Sequence, residues 1–79
     1  MNRRLRNVLS IVLGVRPGEL RDDMSQEEIA SWDSLRQMDL VISLEREYDI
    51  ELDLGDIVRM TSIASIAAVL AAKGIDLAD

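Results

Sequence analysis

The residues that could do chemistry lie together near the middle of the chain, at Trp32-Asp33-Ser34-Leu35. They open a predicted helix that runs from Ser34 to about Tyr48. A helix N-terminus presents unpaired N–H groups and the positive end of the helix dipole, so an anion placed on the Ser34 hydroxyl would be stabilised. Asp33 and Ser34 are also favourable capping residues, and either could act only as the cap of this helix. The two interpretations are compatible.

Other kinds of catalytic and metal site are disfavoured by the composition. The chain has no His and no Cys, which removes the usual general base, the Ser-His-Asp arrangement and thiolate metal ligands. Asp49, Glu51 and Asp53 resemble the start of a calcium loop, but the pattern then fails. Leu54 occupies the position that needs Gly, and Met60 the position that needs a bidentate Glu. We therefore predict no catalytic residues, no enzyme activity and no metal site.

Length and composition predict one small all-α domain over residues 1–79. Hydrophobic residues make up 48% of the chain but aromatic residues only 3%, so the core must be aliphatic. Four Gly and one Pro leave few turns, which favours a few helices over many strands. The net charge of −6 argues against nucleic acid as a partner. No membrane-spanning run and no secretory signal is visible, so we expect a soluble cytoplasmic protein.

The basic residues are concentrated at the start of the chain. Residues 1–18 contain no acidic residue, and the Arg residues there are Arg3, Arg4, Arg6 and Arg16. A basic start with apolar spacing could be an organellar presequence or a membrane-surface helix. We favour the first helix of a bundle, because so small a domain needs its apolar face for the core.

Helical periodicity and turn signals divide the rest of the chain. The first helix carries its apolar face on Leu5, Val8, Leu9 and Val12, and Gly14 ends it. A long loop follows through Asp33, with Ser25 and Glu28 as a capping box and with Leu20, Met24 and Ile29 as anchors on the core. An extended linker over 49–53 precedes a short helix from Gly55 to about Met60, which offers Ile57 and Met60 to the core. The last helix begins after Thr61 or Ser62, carries Ile63, Ile66, Ala67 and Leu70, and ends near Lys73-Gly74, before a loose tail over 75–79.

The helix that begins at Ser34 has two apolar stripes on different sides. One stripe is continuous over two turns and consists of Leu40, Val41, Leu44 and Tyr48. The other lies in the N-terminal half and consists of Leu35, Met38 and Ile42. The carboxylates that border it are Asp39, Glu45 and Asp49. Because bordering carboxylates argue against deep burial, we assign the first stripe to the core and the second to a surface patch. The alternative is that Leu35 and Met38 fill the core under the long loop.

The order of these segments resembles the acyl carrier protein family over nearly the whole chain, from Leu5 to Gly74. The resemblance rests on Leu-Gly-Val at 13–15, the long loop, Asp33-Ser34-Leu35, and the segments Leu-Val-Ile-Ser-Leu-Glu at 40–45 and Glu-Tyr-Asp-Ile-Glu-Leu at 47–52. It implies a small antiparallel bundle of three longer helices plus one short helix. It also implies that Ser34 carries a 4'-phosphopantetheine arm, whose phosphodiester would be the anion at the helix N-terminus.

The resemblance further implies a carrier that is not itself an enzyme. A phosphopantetheinyl transferase would load Ser34 from coenzyme A, and acyl-transferring and acyl-modifying enzymes would then use the acyl thioester on the arm. The helix after Ser34 would be the recognition helix, with Asp33, Leu35, Met38, Asp39, Ile42 and Glu45 as partner-binding residues on a monomer. Arg36 and Arg46 depart from the acidic residues of many family members, which makes this face less negative.

The residues before Ser34 bear on the kind of carrier. Trp32 precedes Asp33 where fatty-acid carriers often have Gly-Ala, so the motif looks more like discrete carriers of polyketide and other specialised pathways; fatty-acid biosynthesis stays open. An aminoacyl or peptidyl carrier is the near alternative, although Ser31-Trp32-Asp33-Ser34 does not match the Gly-Gly-His-Ser or Gly-Gly-Asp-Ser of many peptidyl carriers. A further alternative is a helical interaction module whose Ser34 is never modified.

Overall fold

The structure, a computed structural model, describes residues 1–78 and is helical in the way the composition predicts. Its α-helices are α1 (Arg3–Leu13), α2 (Ser34–Tyr48), α3 (Leu54–Arg59) and α4 (Ile63–Ala72). Two single 3₁₀ turns, Pro17–Glu19 and Gln26–Glu28, lie in the long loop between α1 and α2. Within residues 1–78 there is no strand beyond an isolated bridge between Ser25 and Ser62. The predicted bundle of three longer helices plus one short helix is confirmed.

The polar contacts between α1 and α2 show that these helices are antiparallel. Arg4, at the start of α1, hydrogen-bonds to the carboxylate and the backbone carbonyl of Glu47, at the end of α2. At the other end of the pair, Arg36 Nη1 donates to the Val12 carbonyl at 2.7 Å. The C-terminus of α1 therefore lies beside the N-terminus of α2, where Ser34 is located.

The core is almost entirely aliphatic, as predicted. The three longer helices contribute their most buried side chains, which are Leu5, Leu9 and Leu13 from α1, Leu40, Val41 and Leu44 from α2, and Ile63, Ile66, Val69 and Leu70 from α4. The predicted apolar face of α1 packs on the core, with Leu5 and Leu9 fully buried and Val8 and Val12 half-buried against it. Leu13 is a further fully buried residue of α1. The burial of α1 among the other helices agrees with its interpretation as a bundle helix.

Residues with left-handed backbone conformation end several helices. Gly14 ends α1 with φ +66°, which a residue without a Cβ adopts freely. Gly74 follows α4 with φ +88°, as its predicted role at the helix end requires. At the end of α2, Asp49 adopts φ +53°, so the predicted extended linker is wrong at its first residue. Asp tolerates this conformation better than most residues.

The long loop is tied to the start of α4 and to the core. Gln26 N donates to the carbonyl of Thr61, two residues before α4, at 2.8 Å. Ile63 N, at the first residue of α4, donates to the Met24 carbonyl at 3.0 Å. Leu20 and Ile29 are buried and Met24 is half-buried, as predicted for the loop anchors. The predicted capping box is present, with the Glu28 carboxylate accepting from Ser25 N.

The short helix α3 is held by a charge cluster that no local sequence pattern indicates. Asp53 caps α3 and forms a reciprocal capping box with Asp56, which is only 5% exposed. The Asp56 carboxylate lies 2.8 Å from Lys73 Nζ, just after α4, and 2.7 Å from Arg59 Nη2. The hydrogen bond from Lys73, together with the backbone N–H of Asp53, lowers the pKa of Asp56 to about 2. The same hydrogen bond raises the pKa of Lys73.

This cluster predicts how the stability of the fold depends on pH. The pKa of Asp56 is lowered in the folded state, so its ionised carboxylate stabilises the fold. This contribution to the free energy of unfolding is complete above the ordinary Asp pKa of about 3.9 and is lost as the pH falls towards about 2. We expect Lys73→Gln to lower the melting temperature at pH 7, and the difference from the parent protein to shrink between about pH 4 and pH 2. Thermal melts over this pH range test the prediction. Arg59→Gln is the control and should have the smaller effect, because Arg59 is the more exposed partner of Asp56. If Lys73→Gln lowers the melting temperature by the same amount at every pH, the predicted role of the Asp56 carboxylate is wrong.

The tail after α4 was predicted to be loose, but it packs on the bundle. Ile75 and Leu77 are half-buried against the core, and the Leu77 carbonyl accepts a hydrogen bond from Asn2 Nδ2 at 3.3 Å. These contacts place the tail beside the N-terminus of α1, at the end of the bundle away from Ser34. The last residue of the predicted loose tail, Asp79, lies outside the described residues.

Candidate functional site

Ser34 is the first residue of α2, and Asp33 rather than Ser34 caps the helix. The Asp33 Oδ1 atom accepts a hydrogen bond from Arg36 N at 2.9 Å, and the Asp33 carbonyl accepts from Gln37 N at 2.9 Å. Ser34 is exposed, and its hydroxyl makes no hydrogen bond to any of residues 1–78. Asp33 is therefore the cap of α2, and the Ser34 Oγ atom is left accessible.

The first turn of α2 has the features that suit a phosphodiester. Asp33 satisfies the N–H of Arg36, while the N–H groups of Ser34 and Leu35 have no partner within the described part of the chain. Open N–H groups and the positive end of the helix dipole stabilise an anion at this place. An exposed hydroxyl beside open donors therefore fits a covalently attached phosphate group, whose negative charge would be held at the helix N-terminus.

A hydrogen-bond chain through Gln37 fixes the position of this turn. Trp32 is 3% exposed, and its Nε1–H donates to Gln37 Oε1 at 2.6 Å. The amide nitrogen of Gln37 in turn donates to the carbonyls of Met60 and Ile57, at 3.2 and 3.4 Å. The loop before Ser34, the first turn of α2 and the end of α3 are thereby joined. The sequence did not indicate these hydrogen bonds, because neither Trp32 nor Gln37 belongs to a periodic apolar pattern.

Arg36 has a structural partner that its sequence position did not reveal. Its guanidinium donates to the Val12 carbonyl, one of the carbonyls that the end of α1 leaves without an intrahelical partner. A cation at a helix C-terminus is also favoured by the helix dipole. Arg36 therefore connects α1 to α2, whereas Arg46 is exposed and has no ion pair among the described residues.

The second apolar stripe of α2 is exposed, as the helical wheel predicts. Leu35, Met38 and Ile42 are 69%, 50% and 47% exposed, while Leu44 on the first stripe is 0% exposed. The alternative, in which Leu35 and Met38 fill the core under the long loop, is therefore wrong; Trp32, Leu20 and Ile29 fill that region. We call Leu35, Met38 and Ile42 the α2 patch.

The acidic residues predicted to border the α2 patch differ in their surroundings. Asp39 is exposed and has no ion pair or side-chain hydrogen bond within residues 1–78. Asp33 is exposed but uses one oxygen as the helix cap. Glu45 is half-buried, and its Oε2 atom accepts from Leu52 N at 2.9 Å, which holds the linker between α2 and α3. Asp39 is thus the carboxylate with the fewest structural ties.

The fold and this site define a class of protein: a small helical bundle that presents an accessible serine at a helix N-terminus beside an exposed apolar and acidic helix face. Comparison with known proteins names the family. The family described as "Phosphopantetheine attachment site" matches residues 3–70. The chain belongs to this family of carrier proteins, and 4'-phosphopantetheine is its prosthetic group.

A curated relative agrees with the family assignment. The acyl carrier protein of Bdellovibrio bacteriovorus is 27% identical to the chain over 71 residues, which cover 90% of the chain and 91% of the relative. Carriers of this family work with transferases and acyl-processing enzymes. None of the helices within residues 1–78 combines the length and the apolar character needed to span a membrane.

Proposed function

We propose that this carrier bears 4'-phosphopantetheine on Ser34 Oγ and delivers acyl groups between enzymes of polyketide, other specialised or fatty-acid biosynthesis. The observation that carries the assignment of Ser34 is its free hydroxyl: Asp33 caps α2 and leaves Ser34 exposed without a hydrogen-bond partner in the described chain. The similarity to an acyl carrier protein supports acyl cargo over aminoacyl or peptidyl cargo. The cytoplasmic location and the monomeric state stay predictions.

Attachment of the arm needs a phosphopantetheinyl transferase and coenzyme A. The Ser34 oxygen forms a new bond to the phosphorus that bears the pantetheine, the bond from this phosphorus to the bridging oxygen breaks, and adenosine 3',5'-bisphosphate leaves. The chain has no His, and Asp33 Oδ1 is used as the helix cap, so the base that accepts the serine proton is assigned to the transferase. The open N–H groups of Ser34 and Leu35 favour the negative charge of the product. Once attached, the arm supplies a terminal thiol that holds an acyl group as a thioester.

We propose that the α2 patch with Asp39 and Asp33 is the docking surface for the transferase and for the acyl-processing enzymes. Exposed apolar side chains gain free energy when a partner removes them from water, and the carboxylates attract a basic partner over a longer range. Glu45 contributes through its second oxygen only, since Oε2 is bound to Leu52 N. Arg36 is bound to α1, so its positive charge is part of the fold as well as of this surface.

Two substitutions test the two components of the docking surface. We expect Ile42→Ala to slow loading by a transferase while changing the melting temperature little, because Ile42 is 47% exposed. We expect Asp39→Lys to slow loading on the order of tenfold at low ionic strength. This loss should shrink with salt, because the Debye length falls to about 10 Å at 0.1 M. The measurement is the loading rate as a function of ionic strength.

The control for the charge change is Asp76→Lys. Asp76 lies beside Leu77 in the tail, at the end of the bundle away from Ser34, so the same change of charge there should leave the loading rate nearly unaltered. If Ile42→Ala and Asp39→Lys both load at the rate of the parent protein, the α2 patch is not the docking surface.

A further inference from the structure

Lys73 is the only lysine of the chain, and it is the side chain best suited to react with a thioester. Thioesters are attacked by thiolates, by imidazoles and by neutral amines, and the chain has no Cys and no His. Every other cationic side chain is Arg, whose guanidinium stays protonated and is not a nucleophile. The one phenol, Tyr48, has a buried hydroxyl, and burial raises the pKa of Tyr48. A carrier of this composition would lose a thioester to its own side chains mainly at Lys73.

The Lys73 ammonium group lies against a carboxylate that is itself fixed in place. Lys73 follows the last residue of α4, and its Nζ atom is 2.8 Å from Asp56 Oδ2 on α3. The Asp56 side chain is only 8% exposed, so this pair is screened by salt less than a pair on the open surface. Asp53 N and Arg59 Nη2 donate to the two oxygens of the Asp56 carboxylate, at 3.1 and 2.7 Å. The carboxylate therefore cannot turn away from Lys73 without breaking these hydrogen bonds.

The groups around Lys73 favour its protonated form. The hydrogen bond to Asp56 has the largest effect and raises the pKa of Lys73, although partial burial acts in the opposite direction. The charges of Asp56 and Asp53 add to the effect, and the charge of Arg59, whose side chain is 66% exposed, opposes it. A protonated amine has no lone pair with which to attack a carbonyl carbon. Asp56 thus holds the one lysine of the chain in its unreactive state.

The reaction that this arrangement suppresses is the transfer of an acyl group from sulfur to nitrogen. The neutral amine of Lys73 would attack the carbonyl carbon of the thioester, so that a C–N bond forms and the C–S bond breaks. The proton lost from the nitrogen would pass to the departing thiolate. The products would be a free thiol and an amide on Lys73, from which acyl-transferring enzymes could no longer take the acyl group.

We propose that Lys73 is a latent acyl-acceptor site and that Asp56 masks it against thioesters, those of the carrier's own cargo included. The part of this inference that concerns the cargo rests on the proposed function. Neither residue belongs to the α2 patch, and the proposed docking uses neither. The ion pair would block the single strong nucleophile that the composition leaves.

The masking is measured on the unloaded protein with acetyl-coenzyme A as a soluble thioester. Arg46→Lys supplies a reference amine, because position 46 is exposed and Arg46 has no ion pair within the described residues. Peptide mass spectrometry then gives the acetylation rates of Lys73 and of the introduced lysine in one molecule. We expect Lys73 to react on the order of tenfold more slowly in the folded protein, and both amines to react at similar rates in urea. Equal rates in the folded protein would overturn the proposal.

Asp56→Asn removes the charge of the mask and keeps its size. In a variant that thermal melting shows to be folded under the assay conditions, acetylation of Lys73 should rise on the order of tenfold. Arg59→Gln is the matched control: it removes the other side-chain partner of Asp56, leaves the contact with Lys73, and should not raise the rate. No rise in Asp56→Asn, or an equal rise in Arg59→Gln, would contradict masking by Asp56. If Asp56→Asn does not fold, the comparison with the reference amine decides alone.

The consequence for the cargo is measured on the acetyl-loaded protein. Hydroxylamine cleaves thioesters and leaves amides, so the acetyl mass that survives this treatment reports transfer to nitrogen. We expect almost none on Lys73 of the parent protein and a fraction that grows with time on Lys73 of Asp56→Asn. Equal fractions in the two proteins would overturn the protection of the cargo. A parent protein that gains no arm would contradict the proposed function instead, because the masking of Lys73 against acetyl-coenzyme A is measured without loading.

Discussion

Ser34→Ala is expected to abolish attachment of the arm completely while leaving the fold intact. When the parent protein is incubated with a promiscuous phosphopantetheinyl transferase and coenzyme A, its intact mass should rise by the mass of one arm. The variant should show no increase, because Ser34 Oγ is the only atom that we assign to the attachment. The fold should tolerate the change because the Asp33 carboxylate, not the Ser34 hydroxyl, satisfies the N–H of Arg36. The expected cost is well under the roughly 1 kcal/mol of a lost cap.

Ser43→Ala is the matched control for this experiment. Ser43 lies on the same helix and its hydroxyl makes no hydrogen bond within the described residues, so the substitution removes an equivalent group without breaking a contact. It should gain the arm like the parent protein. Attachment that persists in Ser34→Ala would refute the assignment of Ser34. A parent protein that gains no mass would contradict the carrier function proposed here.

The sequence predicted the features of this site that depend on one helix at a time. The start of α2 at Ser34, the two stripes of α2 and the helix end at Gly14 all follow from periodicity and local backbone preference. These rules act within a few residues and need no knowledge of the fold. The exposure of Leu35, Met38 and Ile42 followed from the same wheel once the bordering carboxylates were considered.

The sequence did not predict the contacts that join distant segments. Arg36 looked like a departure in surface charge, and only the antiparallel packing of α1 on α2 brings the Val12 carbonyl to its guanidinium. The Gln37 amide donates to the carbonyls of Ile57 and Met60, at least 20 residues further along the chain. Asp56 pairs with Lys73, which lies 17 residues after it. No local pattern marks such residues, because their partners are defined by tertiary structure.

Leu44→Ala is expected to have the largest effect on stability among the substitutions on α2. Leu44 is 0% exposed and lies in the core between the helices, so the substitution removes buried methyl groups and leaves a cavity. Such changes cost about 2–5 kcal/mol. At roughly 0.05–0.15 kcal/mol per residue, a domain of this length has only about 4–12 kcal/mol in total. Leu44→Ala should therefore remove a large fraction of the stability and lower the midpoint of urea denaturation markedly.

Ile42→Ala is the matched control, because Ile42 is on the same helix, loses a similar side chain and lies on the other stripe. Its side chain is 47% exposed, and Ala is the better helix former, so the expected cost is about 1 kcal/mol or less. Urea denaturation curves with equal slopes allow the two losses to be compared directly. Similar losses for both variants would show that the two stripes of α2 are not separated into a core face and a docking face. A large loss for Leu44→Ala, together with slower loading and a much smaller loss of stability for Ile42→Ala, would assign packing to one face and partner recognition to the other.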